Sequence, residues 1–292
     1  MAAPTVVPTR ADRAARFAER AGAPGHGSAA VAASGGRSRV IQAFAASPLR
    51  LLTPRNHGRA SWIFTSTFGG GLVGGDAVCF EIDVREGANA YLSTQAATKV
   101  YRSAKGASVE LRATVARDAT LVVVPDPVIC FAGSSYRQDQ RVDLHDTGNL
   151  VFVDWLSSGR HAAGERWQFD RYDSRIVVTR GGRRIVHDAL LLSPDHGGLA
   201  ERMGRFEVLL VAIVIGPAFV AAVSDVLARV ERLPLERRGR SIVSASKIDE
   251  GIDGGCLLRI AGTSVEDTGS ALRALLGFVP GILGDDPWAR KW

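Results

Sequence analysis

From Arg39 onward, apolar and polar positions alternate with a period of two rather than the 3.6 of a helix. Val78, Phe80, Ile82 and Val84 alternate with Cys79, Glu81, Asp83 and Arg85, and Val109, Leu111, Ala113 and Val115 alternate with Glu110, Arg112 and Thr114. Val142 with Leu144, Leu150 with Phe152, Trp167 with Phe169, Ile176 with Val178, and Ile185 with His187 continue the pattern. Turn signals separate these runs at Glu86-Gly87, Arg117-Asp118, Asp146-Thr-Gly148 and Arg180-Gly-Gly182. The pattern predicts many short, half-buried strands in a sandwich, a barrel or a solenoid-like stack. No fixed-period repeat is legible in the residues.

The pattern changes after Pro194. A continuous apolar run predicts a buried strand at 206–215. Pro217 then fits the first turn of a helix to about 232, with Phe219, Val220, Val223, Val226, Leu227 and Val230 as its apolar stripe. Strands are expected at 241–248 and 255–260. Ser264-Val-Glu-Asp267 reads as a cap for a second helix, about 265–276, stopped by Gly277. The fold class expected is mainly β with two α-helices, ending in a β-α-β-β-α part. Apolar faces on those helices offer a partner interface. Residues 1–38 are rich in Ala, Arg, Gly and Pro and have no apolar signal-peptide region. They read as a mobile tail, helical near 13–21, before a single β-rich domain at 39–292.

Composition narrows the class. The chain has 292 residues, 46% hydrophobic and 23% charged, long enough to bury a core. The net charge is +6, yet only four of the 36 basic residues are lysines. Scattered arginines without a recognition motif favour a protein-facing or solvated surface over nucleic acid. The longest apolar run, Val208 to Val223, is broken by Gly216-Pro217 and does not read as a membrane span. Three widely spaced cysteines and no C-x-x-C argue against a disulfide scaffold or structural zinc and fit a reducing, cytoplasmic location. Cys79 and Cys256 read as small core residues.

The densest glycine segment, FGGGLVGGD at 68–76, contains G-x-G-x-x-G. A dinucleotide site needs a helix N-terminus after the glycines. Here Asp76 and an alternating strand follow, so the loop reads as a tight corner or a contact surface. Two further blocks carry candidate chemistry. LSTQAATKVYR at 92–102 offers Ser93, Thr94, Gln95, Lys99, Tyr101 and Arg102, as a polar lining or an exposed loop. The stretch from Asp154 to Arg166 offers Asp154, His161 and Glu165 as proton-handling or hard-metal groups, or, with Arg160 and Arg166 discouraging a cation, a surface loop with local ion pairs. His187-Asp188 and Asp195-His196 lie at loop signals. Neither G-x-S-x-G nor H-E-x-x-H occurs.

Taken together, Ser47-Pro-Leu-Arg50, GGLVGGD, TQAATKVYRS, Val124-Pro-Asp-Pro127 with Ile129-Cys-Phe-Ala132, and Gly159-Arg160 with Gly164-Glu165 resemble the urease accessory protein family UreD, also called UreH. The resemblance spans about 37–210 and is weaker beyond. Cys130 stands where that family's pattern leads one to expect proline. The resemblance implies a non-catalytic β-rich scaffold with its strands wound into a helix-like stack. Such a protein touches apo-urease directly and works with UreF and the GTPase UreG. It delivers nickel through an internal passage to the active site, where a lysine becomes carbamylated. It needs no permanent cofactor, only transient Ni²⁺, and neither nucleic acid nor membrane. Weakly coordinating groups suit such a passage. Asp76, Asp154 and Glu165, with Ser93, Thr94 and Gln95, are assigned to it, and Lys99, Tyr101, Arg102 and Arg160 to bracing or contacts. The alternative is a β-rich enzyme or binding module using Asp154, His161 and Glu165.

Overall fold

The computed structural model describes residues 23–234, 236–248 and 254–289. Its strands form two stacked sheets. The outer sheet has seven strands: β1 (His26–Ser34), β2 (Arg37–Ala45), β5 (Ala77–Val84), β8 (Ala107–Val115), β11 (Ser135–Leu144), β13 (Arg171–Arg180) and β14 (Arg183–Leu192). The central sheet has ten: β3 (Leu49–Leu52), β4 (Ser61–Thr67), β6 (Asn89–Thr94), β7 (Thr98–Val100), β9 (Thr120–Val123), β10 (Val128–Cys130), β12 (Asn149–Ser157), β15 (Val208–Ile215), β16 (Ser241–Lys247) and β17 (Gly255–Gly262).

Between β4 and β13 the chain alternates between the sheets, and like strands pair in parallel. β5 pairs β8 and β8 pairs β11, while β4 pairs β6, β6 pairs β9 and β9 pairs β12. Each circuit is therefore one coil of a β-solenoid. The corners stack as well: Ala116 N–H donates to Val84 O and His145 N–H to Val115 O, both at 2.9 Å. Central strands of successive coils begin at Ser61, Asn89, Thr120 and Asn149, an almost regular spacing. No residue repeat accompanies it, because a coil asks only for inward apolar side chains, not for particular ones. Antiparallel hairpins close the outer sheet at both edges, β1 with β2 and β13 with β14.

In the outer sheet β5, β8 and β11 bury one face and alternate, whereas β1 is buried on both faces over His26–Val31. Glu81, Glu110 and Arg112 form an ion-pair cluster on the exposed side. Cys79 belongs to that outward set and is half-exposed, not a core residue as the sequence suggests; Cys256 is fully buried. The inner central-sheet strands are buried on both faces, so β15 reads as an unbroken apolar run and β9 as one after Thr120. One face packs on the outer sheet through Ile63, Leu121, Phe152 and Ile213. The other packs on helices through Val151, Leu210, Leu258 and Ile260.

The described residues form four helices: α1 (Leu199–Met203), which packs Leu199 against the core between the sheets, and α2 (Val220–Glu231), α3 (Val265–Leu275) and α4 (Val279–Leu283), which cover that second face. The order β15-α2-β16-β17-α3 matches the β-α-β-β-α expectation, and the short α1 and α4 were not foreseen. Ser264 caps α3 by accepting Asp267 N–H at 3.0 Å. The apolar stripes of both longer helices are spent on the central sheet: Val223 and Val226 from α2, Leu272 and Leu275 from α3. They are not free for a partner, contrary to the sequence expectation; Val220 and Val265 at the helix starts stay exposed. No described helix is long and apolar enough to cross a membrane.

Two further expectations are corrected. Residues 26–38, read as part of a tail, form β1 and the start of β2, where Ala29 and Val31 enter the core. The expected helical segment near 13–21 lies outside the described residues. Trp167 and Phe169, read as a strand, are buried within a loop, with Trp167 at φ 54° and its Nε1–H donating to Phe206 O at 2.9 Å.

Candidate functional site

The glycine segment runs along one end of the solenoid and makes a corner. Gly69 and Gly70 have φ of 83° and 72° and open space around them. Gly71 is glycine for a different reason: a Cβ there would lie 2.6 Å from the Tyr101 ring and 2.7 Å from Lys99 O. Asp76 closes the loop by accepting Val73 N–H at 2.8 Å. The strand β5 follows, not a helix.

This corner starts a narrow third strip of the solenoid. Leu72 bridges Val100, β7 pairs β10, and β10 pairs the end of β12. Leu72 N–H donates to Lys99 O at 2.8 Å, and Tyr101 N–H to Leu72 O at 2.9 Å. Segments far apart in sequence thus become neighbours: 68–76, 92–103, 124–132 and 156–165. Lys99, Arg102 and Arg160 are exposed here, and Tyr101 is half-buried. Tyr101 meets Phe131 edge-on at 5.1 Å, and the Arg160 guanidinium lies 4.3 Å over the same ring. Arg160 also pairs with Glu165, through Nε and Oε2 at 3.0 Å and through Nη2 and Oε1. That guanidinium holds the Glu165 carboxyl below the ordinary glutamate range. Glu165 further accepts Ala132 N–H at 3.3 Å.

Behind the strip, between the two sheets, lies a cavity of about 160 Å³. Ser93, Thr94, Asp126, Gln138, Gln140 and Asp154 line it, together with apolar groups such as Phe80, Leu92 and Val128. Ser93 Oγ donates to Val124 O at 2.6 Å. Thr94 Oγ1 donates to Asp126 Oδ2 at 3.0 Å and accepts Asp126 N–H at 2.8 Å. Asp154 sits on the inward face of β12, beside Phe152 and Leu156. Its remaining accessible surface faces the cavity. Burial raises its carboxyl above the ordinary aspartate range, while hydrogen bonds from Gln138 and Ser174 pull it back. The like charge of Asp188 raises it further.

Of the residues singled out in the sequence, the structure brings Asp154, Ser93 and Thr94 to this cavity. Asp76, Gln95 and Glu165 are not among its lining residues. Gln95 is exposed, and its N–H donates to Thr65 O at 2.9 Å. His161 stands exposed in a 3₁₀ turn. Asp154, His161 and Glu165 therefore face three different surroundings. Among the described residues, no three His, Cys, Asp or Glu side chains gather into a metal-holding group.

Sequence reasoning missed Asp126, Gln138, Gln140 and Ser174. A signal existed for the glutamines. In β11, Tyr136, Gln138, Gln140, Val142 and Leu144 share the inward phase, so two amides occupy positions that the pattern reserves for core. Asp154 breaks the phase of Leu150, Phe152 and Leu156 in the same way.

The sequence model of the UreD urease accessory protein family matches residues 23–292. The chain is 51% identical over 275 residues to "Urease accessory protein UreD" of Sorangium cellulosum, covering 94% of this chain and 86% of that one. It is 43% identical over 268 residues to the protein of that name from Anaeromyxobacter sp., covering 91% and 89%. It is 34% identical over 283 residues to "Urease accessory protein D" of Arabidopsis thaliana, covering 87% and 96%. With a family match over most of its length and relatives this similar, the chain belongs to the UreD urease accessory protein family.

Proposed function

We propose that this urease accessory protein is a non-catalytic scaffold that binds apo-urease and, with UreF and the GTPase UreG, hands nickel to the urease active site. One observation carries the proposal: Asp154, Asp126, Ser93 and Thr94 line one cavity between the two sheets. Isolated carboxylates and hydroxyls hold a divalent cation weakly, whereas grouped His or Cys would keep it. A carrier must release what it takes up. The cavity therefore serves as part of a conduit, with nickel as cargo and no resident cofactor. Asp76 and Glu165 are assigned to bracing, since one closes the glycine corner and the other holds Arg160. Lys99, Tyr101, Arg102 and Arg160 form a contact strip outside the conduit. In this reading the complex works in the cytoplasm, away from membranes and nucleic acid.

The test is complementation of cells lacking this gene with wild type or Asp154→Asn. Pull-down with urease should be unchanged, while nickel per urease and urease activity should fall several-fold. Normal nickel loading with Asp154→Asn would overturn the conduit.

A further inference from the structure

Asp154 lies between the two sheets and makes no ion pair among the described residues, while the Asp188 carboxylate disfavours its charge. A buried carboxylate without a cation is costly unless hydrogen bonds compensate. Here they come from neutral groups. Gln138 Nε2 lies 2.8 and 2.7 Å from the two Asp154 oxygens, and Ser174 Oγ donates to Oδ2 at 2.8 Å. The amide cannot turn over. The Tyr136 hydroxyl donates to Gln138 Oε1 at 3.2 Å, and a flipped amide would set oxygen against carboxylate. Tyr172 Oη and Ser174 Oγ stand 2.9 and 2.8 Å from Gln138 Nε2, so this nitrogen, with two protons, has four possible acceptors. It can therefore leave the carboxylate and still keep hydrogen bonds.

We propose that Gln138, seconded by Ser174, is a release residue: its amide competes with an incoming divalent cation for the Asp154 carboxylate and keeps the hold on that ion weak. Gln138 and Ser174 donate to the two carboxylate oxygens, so a cation that binds either oxygen meets a donor already in place. When the ion leaves, the amide swings back from Tyr172 and refills the site. Gln138 is a positioning residue acting through Asp154, not a ligand. This inference rests on the conduit reading above.

The test measures Ni²⁺ binding to the full-length purified protein by equilibrium dialysis and its dissociation by stopped flow, for wild type, Gln138→Leu, Ser174→Ala and Asp154→Asn. Removing a hydrogen bond to a charged group should tighten nickel binding by about tenfold or more in Gln138→Leu. The change should be smaller but of the same sign in Ser174→Ala, with slower dissociation in both. Adding Asp154→Asn to either variant should abolish the gain. A merely structural glutamine predicts no tightening, and a ligating glutamine predicts weaker binding; either result in a folded variant overturns the proposal. If Gln138→Leu does not fold, Ser174→Ala decides it by the same sign. Equal binding by wild type and Asp154→Asn would instead sink the conduit itself, and the release role with it.

Discussion

The central sheet has two buried faces of different construction. Toward the helices it is apolar: Val151, Val153, Leu210 and Leu258 meet Phe219, Val226, Leu272 and Leu275. Toward the outer sheet the central sheet carries Thr94 and Asp154, opposite Gln138 and Gln140, around a cavity. One face holds the fold together. The other tolerates a hole and a buried carboxylate because stacked corners and paired coils already fix the strands. Polar interior positions are expensive, and their concentration on one face points to the face that does the work.

This contrast is breakable. Leu258→Ala, on the helix side, should cost about 2–5 kcal/mol in chemical denaturation. It should lower the amount of folded protein without changing nickel delivery per folded molecule. Gly71→Ala should cost about 1–3 kcal/mol, because its Cβ collides with backbone and ring at the Lys99–Tyr101 corner. Gly69→Ala should cost only about 1 kcal/mol for its left-handed φ, since nothing lies near it. Equal costs would mean that the corner yields.

The buried carboxylate gives a smaller effect with a definite sign. The Asp154 carboxyl titrates higher in the folded than in the unfolded chain, so the folded state holds its proton longer. Its destabilising cost is absent below the unfolded value of about 3.9 and complete only above the raised folded value. Asp154→Asn should therefore gain melting temperature relative to wild type as pH rises from about 4 toward neutrality. A flat difference would show that Asp154 is not shielded from water. Last, burial pushes the Cys130 and Cys256 thiols up to about 12, so alkylation of either should require unfolding. Native labelling should be confined to Cys79.

The outer sheet was legible where a strand shows one face to water: β5, β8 and β11 write alternation into the sequence. The turns were legible from Glu86-Gly87 and Arg117-Asp118 for the same local reason. The solenoid coil was not, since pairing of β4 with β6 and β9 is a property of corners, not of residue identity. Helix positions followed from Pro217 and Ser264, but the direction of their apolar stripes needed the sheet they cover. At the site, Asp154, Ser93 and Thr94 stood out as polar candidates, but the runs that carry them read as loop as readily as lining. Asp126 was hidden between two prolines, and Gln138 became meaningful only when β11 and β12 were seen to face each other across the cavity.

The most direct measurement blocks the cavity without touching its charges. Ala97 lines the cavity and Ala43 lies exposed on β2. With purified apo-urease and the partner proteins, nickel per urease is measured for Ala97→Trp and Ala43→Trp. The account predicts that both variants assemble normally and that only Ala97→Trp loses nickel transfer. Full transfer through the plugged Ala97→Trp protein would contradict it.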